Sequence, residues 1–372
     1  MPNHRSFPTY ESIGVRPLIN CKGTITMVGG SIMLPEVIDA MNDAAKCYVN
    51  LEELMEAVGA RIAELMQCEW GLVTTGCAAA LCQITAACVA GTDPEKIALL
   101  PDTTSMKNEV LVQPTHHHGY EHAVRMVGVR MIEVRDLEEL KSAINDRTAM
   151  LLLFGDASDR GTISVRDTAQ VGRDHGVPTF VDAAAERPDV PNWYLSEGAD
   201  AVAYSGGKCL RGPQSSGFVL GRKNLLQAAF MNGSPHQSIG RPMKASKEET
   251  MGLLAAIEQW ISRDHNMEWK LWESWLEVIA QSATIFDSVT ASIRLPGRSN
   301  VAPVLSVEWS HEILGISGEE VSRRLSQGEP RIEVNSHEKG ISIMPYMMEA
   351  GEAEIVAQRL AQIFKEVDRT ET

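Results

Sequence analysis

The chain has 372 residues, 44% of them hydrophobic and 5% aromatic, a composition that fits a globular protein with one large and one smaller domain. Lysine and arginine number 34 against 49 aspartates and glutamates, a net charge of −15. With no basic run to offset it, that charge argues against a nucleic-acid partner, whether DNA or tRNA. The longest unbroken apolar run, residues 149–154, is too short to cross a bilayer. The opening "MPNHRSFPTYESIG" leads no basic segment into an apolar one, so no secretory signal is read and the cytoplasm is the expected compartment. Seven cysteines without a C-x-x-C pair read as reduced thiols.

In chain order, a short apolar strand reaches Thr74 and turns through Thr75, Gly76 and Cys77 into an alanine-rich helix that closes at Gly91. Further strands are predicted at residues 96–101, 129–134, 149–154, 177–184, 200–205 and 217–221. Helices are predicted at 136–145 and at 164–175, where Ser164 is placed to cap. This alternation is the signature of a doubly wound α/β domain with a mainly parallel sheet. Beyond Pro242 the texture changes. Ser246 with Glu249, and Ser317 with Glu320, fit capping boxes that open helices. Residues 302–309, 331–336 and 340–345 read as a small sheet, followed by a terminal helix from 351 to about 367. The expected division is a segment 1–34 contributing to the small domain, a large domain 35–241 and an α+β domain 242–372. Trp269, Trp272 and Trp275 recur every three residues in a predicted helix, a stripe better suited to core or subunit contact than to a ligand.

Three segments carry chemistry. The turn at Thr75 and Gly76 presents free N–H groups and the positive end of a helix dipole, which suit a phosphate; alone, it reads first as a plain strand-to-helix connection, as most such glycine turns are. Asp182 ends the apolar strand in "VPTFVDAAAE", where ligands of open α/β sheets bind; it is equally a helix cap. Lys208 follows the glycine pair Gly206 and Gly207, whose freedom lets a turn approach another body closely. A lysine drawn into a desolvated pocket becomes a usable nucleophile and base, while a lysine in an open turn is simply solvated. Together, in this order, the three are the parts that hold pyridoxal phosphate: helix terminus for the phosphate, carboxylate for the pyridinium nitrogen, lysine for the Schiff base. Ser205 adds a further phosphate contact.

The runs "LINCKGTITMVGGSIMLPEVIDAM", "VTTGCAAAL", "HHHGYEHAVRMVG", "VPTFVDAAAE", "YSGGKCLRGPQSSGFVLG" and "IGRPMKASKEE" resemble the selenocysteine synthase-like family of fold-type I pyridoxal-phosphate enzymes, from about Tyr10 to Ile363. The resemblance is to its short members, the D-glucosaminate-6-phosphate ammonia-lyase-like proteins, because the shared pattern begins too early to leave room for the tRNA-binding domain of the selenium transferases.

The resemblance implies a lyase that removes ammonia from a small hydroxy-amino acid or amino sugar acid by α,β-elimination. Racemase, aldolase or aminotransferase chemistry at the same carbon, and selenium transfer to seryl-tRNA, stand as alternatives. It makes Lys208 the Schiff-base lysine and Asp182 the pyridinium partner. Thr75, Gly76 and Cys77 become the phosphate cradle with Ser205 nearby, and His116 the ring-stacking residue. It also implies a homodimer or larger homo-oligomer. Arg241, in "IGRPMK", is a candidate for a substrate carboxylate or phosphate, or a surface residue. Histidines 116, 117, 118 and 122 could be read as a metal site, since His118 and His122 have helical spacing; without a matching carboxylate or cysteine set, no metal is expected. His117 and Tyr346 stand where relatives often carry arginine, which weakens the case for a phosphorylated substrate.

Overall fold

The computed structural model describes residues 7–157, 159–299 and 301–368. The chain divides into two compact units, the larger of Ser31–Arg263 with Gly297–Val301, the smaller of Met1–Gly30, Asp264–Pro296 and Ala302–Thr372.

The larger unit is built on a seven-stranded sheet. From one edge to the other its strands are Trp70–Thr74, Gly217–Gly221, Ala201–Ser205, Thr179–Asp182, Thr148–Phe154, Glu109–Val112 and Arg130–Glu133. Gly217–Gly221 pairs antiparallel with both neighbours, and all other pairs are parallel. Every residue of Thr148–Phe154 is buried, as expected for a parallel strand covered on both faces. Its side chains alternate between two cores. Met150, Leu152 and Phe154 join one that includes helix Gly76–Ala90. Leu151 joins another with Leu140 and Val171, from helices Leu137–Ala143 and Val165–His175. Helix Gly76–Ala90 carries small and apolar residues all round and is buried almost throughout, the pattern of a central helix.

Two expectations need correction. Residues 96–101 are not a strand: Pro94–Leu99 is a short helix, because Asp93 caps the N–H groups of Glu95 and Lys96 and Pro94 opens the first turn. The larger unit also runs past 241 to Arg263. Helix Lys247–Ser262, opened by the reciprocal Ser246–Glu249 capping box, packs on helix Pro35–Ala44. Gly252 allows that approach, since a Cβ there would lie 2.6 Å from Met41 Cγ.

The smaller unit has a four-stranded antiparallel sheet in the order Asn335–His337, Gly340–Ile343, Val304–Trp309 and Val289–Arg294. A parallel pair joins Leu18–Asn20 to Arg331–Glu333, so the N-terminal segment is part of this unit. The single predicted strand 331–336 is two short ones. The edge strand Val289–Arg294, largely exposed and alternating apolar with polar residues, has no continuous apolar run to reveal it. Helices His265–Ala283 and Glu352–Asp368 pack together. Of the tryptophan stripe, Trp275 packs against the core of this unit, and Trp272 meets Tyr346 edge to face at 6.1 Å.

Candidate active site

The strand Thr179–Asp182 delivers Asp182 to the carboxyl end of the sheet, beside Phe154 on one neighbour and Ala203 on the other. Asp182 is 5% exposed. Its Oδ1 accepts the Ala184 N–H at 3.1 Å, and the Cys77 thiol lies near enough to the same carboxylate for each to influence the other's proton. Burial pushes the carboxyl up to about 6, while Lys208, Ala184 and Cys77 hold it down and Glu186 adds to the rise. Burial, together with the carboxylate, also raises the Cys77 thiol well above its ordinary value, so Cys77 is a neutral thiol here.

Lys208 lies in the turn after strand Ala201–Ser205. It is close enough to affect both Asp182 and Cys77 electrostatically, and among the described residues its ammonium makes no hydrogen bond or salt bridge. The glycines ahead of it are required by the loop's own return arm. A Cβ at Gly206 would lie 2.2 Å from Ser216 Oγ and 2.5 Å from Leu253 Cδ1, and one at Gly207 2.5 Å from Gln214 Cα. Ser31 Oγ donates to the Gly207 carbonyl at 3.0 Å and Arg211 Nε to that of Ile32 at 2.8 Å. The body that the glycine pair approaches is thus the protein itself, and the lysine is carried on a braced loop.

Helix Gly76–Ala90 begins at the same place. Thr75 makes no side-chain cap, the first turn holds no acidic residue, and Gly76 has φ +76° with only the Ser215 carbonyl, at 3.6 Å, near its missing Cβ. Thr75 lines a cleft of about 570 Å³ with Ala78, Ala79, Tyr120, His122 and Met243. Free amides, a hydroxyl, adjoining space and no competing anion fit a phosphate. With Asp182 and Lys208 they fit pyridoxal phosphate as a whole. Ser205 is paired with Gly217. A Cβ at Gly217 would lie 2.7 Å from Gly76 Cα and 3.1 Å from the Cys77 nitrogen. Gly217→Ala is therefore expected to displace the helix start, an overpacking cost of about 1–3 kcal/mol. Fluorescence titration should show cofactor binding weakened by about ten- to hundredfold; an unchanged Kd would count against this cradle.

The histidines divide by role. His116 is fully buried: the Phe154 N–H donates to Nδ1 at 3.0 Å, leaving Nε2 to donate to the Arg160 carbonyl at 3.0 Å. Burial pushes its imidazole below the ordinary value. Expected as a ring-stacking residue, it has no exposed face and ties its loop to the strand next to Asp182. His117 lies between Glu121, 2.5 Å from Nδ1, and Glu133, 2.9 Å from Nε2. Burial opposes its proton, but the two carboxylates prevail and raise it. His118 stacks on Tyr120 and Phe154.

Arg241 follows Gly240, which packs against Asn232 and Gln83. It is half-buried, and among the described residues nothing joins it to Asp182, Cys77 or Lys208. Tyr346, in the smaller unit, shares a hydrogen bond of 2.7 Å with Thr24 Oγ1.

Sequence reasoning assigned no role to Glu186, although it lies inside the quoted "VPTFVDAAAE". It is 1% exposed and accepts from the Asp156 N–H and Tyr194 Oη, each at 2.7 Å, and from Arg298 Nε at 3.1 Å. Its signal was a second acid four residues beyond Asp182; Arg298, more than a hundred residues away, left none.

The family described as Aminotransferase class-V matches residues 31–249. D-glucosaminate-6-phosphate ammonia lyase of Salmonella typhimurium is 31% identical over 368 residues, 95% of this chain and 97% of that protein. A 5'-C-glycyluridine monooxygenase-decarboxylase of a Streptomyces species is 37% identical over 264 residues, 68% of this chain and 65% of that one. The solved structure of a D-glucosaminate-6-phosphate ammonia-lyase superposes with a TM-score of 0.84 at 29% identity, covering 98% of this chain and 100% of the other.

Proposed function

Because the chain belongs to the aminotransferase class-V family of fold-type I pyridoxal-phosphate enzymes, we propose that it is a lyase. It removes ammonia from an amino sugar acid or small hydroxy-amino acid to leave a 2-oxo acid, working in the cytoplasm as a homo-oligomer. The observation that carries this reading is the buried meeting of Asp182, Cys77 and Lys208 beside an uncapped helix start, in a chain similar along its length to an ammonia lyase. Exposed Ile32, Ile38, Tyr48 and Val49 support association of copies.

When bound, pyridoxal phosphate supplies the electron sink for bond breaking at the substrate's Cα. The amides of Gly76 and Cys77 and the Thr75 hydroxyl hold its phosphate. Asp182, ionised above about pH 6, keeps a proton on the ring nitrogen, and the Ala184 amide fixes the carboxylate's orientation. Lys208 carries the reacting amine, takes the Cα proton and returns a proton to the group departing from Cβ. Arg241 receives the substrate's carboxylate.

A second reading rests on the similarity to the monooxygenase-decarboxylase: the same residues would then serve loss of carbon dioxide from an amino acid. Incubating the loaded protein with D-glucosaminate, its 6-phosphate and a panel of D- and L-hydroxy-amino acids separates the two. Ammonia and a 2-oxo acid released without oxygen support the lyase. Carbon dioxide release with oxygen uptake overturns it in favour of the decarboxylase.

A further inference from the structure

The cleft beside Thr75 is walled on one side by Gly119, Tyr120, His122 and Ala123. A charged cluster that the reaction described above does not use holds that wall to the sheet. His117 Nδ1 meets Glu121 Oε1 at 2.5 Å, and its Nε2 meets Glu133 Oε1 at 2.9 Å. Glu121 opens the helix Glu121–Arg125, and Glu133 ends Arg130–Glu133, the edge strand of the seven-stranded sheet. Glu121 is 3% exposed. Its Oε1 also accepts the His118 N–H at 3.2 Å, and its Oε2 accepts from Arg125 Nη1 at 2.7 Å. Glu121 thus ties its own helix to the residues just before it, and His117 ties both to the edge strand. The ring of His118 lies parallel to Tyr120 at 5.1 Å and stacks on Phe154 at 5.7 Å, so the segment moves as one piece.

A neutral imidazole has one N–H and one acceptor nitrogen, whereas a carboxylate only accepts. A carboxylate on each nitrogen therefore requires both nitrogens to donate, which only the imidazolium does. We propose that His117 is a positioning residue for the cofactor site: as imidazolium it clasps residues 117–123 to the edge strand, and on losing its proton it frees the wall of the cleft that receives the phosphate. This rests on the reading of Thr75, Gly76 and Cys77 as the phosphate cradle. Among the described residues, the charged groups facing His117 are Glu121, with Arg125 behind it, and Glu133 from the strand packed against it. Burial opposes the imidazole's proton, but the two carboxylates prevail and raise it. With the folded value the higher one, the clasp is complete below the ordinary imidazole value of about 6.5 and is lost as pH rises through the folded value. Both ring nitrogens are taken by carboxylates, so His117 acts through the segment it holds rather than by touching cofactor or substrate.

The test has two readouts, each taken at about pH 6 and about pH 9. One is hydrogen exchange of the backbone amides of residues 117–123 in the apoprotein, corrected for the intrinsic rate. The other is the Kd for pyridoxal phosphate by fluorescence titration. In the wild type, protection of these amides should fall by about tenfold at the higher pH, the factor carried by one hydrogen bond to a charged group. H117R keeps its charge at both values, so its protection should stay level, and the wild-type Kd should rise by about three- to tenfold relative to it. H117Q should show the low protection at both. E133Q alters only a half-exposed carboxylate on the strand and should remove most of the step even if substitutions at 117 fold poorly. If protection follows the same course in wild type and H117R while pyridoxal phosphate still binds, this inference fails and the reading of the cradle stands. If the step in protection appears but the Kd ratio stays at one, the clasp does not reach the cleft and the inference fails likewise. If pyridoxal phosphate binds at neither pH, the cradle fails and this inference with it.

Discussion

Lys208→Ala is expected to give a folded, colourless protein with no measurable turnover. The lysine sits half-buried on a loop held by other groups: Ser31 on Gly207, Arg211 on Ile32, and Arg263 Nη2 on the Cys209 carbonyl at 2.9 Å. Its own ammonium contributes no hydrogen bond or salt bridge among the described residues, so its removal should leave the fold intact, with the loss of the positive charge that favours ionised Asp182 as its main effect on the apoprotein. Turnover should fall by at least about four orders of magnitude, because one nitrogen serves both as attachment point and as base. The measurements are a thermal melt followed by circular dichroism, a visible spectrum after adding cofactor, and ammonia release. A variant that melted with the wild type and kept its yellow band and activity would remove Lys208 from the mechanism.

Asp182→Asn is expected to move activity and apoprotein stability in opposite directions. An amide cannot hold a proton on the ring nitrogen, so turnover should drop by about 10²–10⁴-fold. Stability follows from burial, which holds the native carboxyl at about 6 against roughly 3.9 in the unfolded chain. With the folded value the higher one, the native state binds more protons than the unfolded state between those limits. This group's contribution to stability is therefore fully present below about pH 4, is lost as pH rises to about 6, and stays lost above. Asparagine has no such loss. The advantage of the variant apoprotein over wild type should thus grow by up to about 3 kcal/mol between pH 4 and pH 7, read as a shift in urea midpoint at each pH. A difference that stayed constant across this range would mean that Asp182 is not titrating as a buried acid.

Local patterns in the chain announced the parts of the site, whereas their partners came only from folding. Thr75, Gly76, Asp182 and Lys208 each stand at a strand end or beside a turn glycine, features that depend on neighbours in sequence and can be read there. His116 could be located after its strand, but its engagement by Phe154 and Arg160 could not, because both partners belong to segments some forty residues away. The helix Pro94–Leu99 was misread for a different reason. Its apolar residues resemble a short strand, and the deciding cue was the cap at Asp93 and the proline after it.

The sequence by itself determined the class of fold, because burial periodicity, caps and glycine turns are short-range properties of the chain, while the cofactor and the kind of chemistry were legible through the resemblance to a known family. Tertiary structure alone decided that the Cys77 thiol meets Asp182, that helix Lys247–Ser262 closes over the lysine loop, and that Arg298 neutralises Glu186 behind the site. Each of these brings together groups distant along the chain, and no local pattern encodes which charge will face which inside a core of low dielectric, where such pairings matter most.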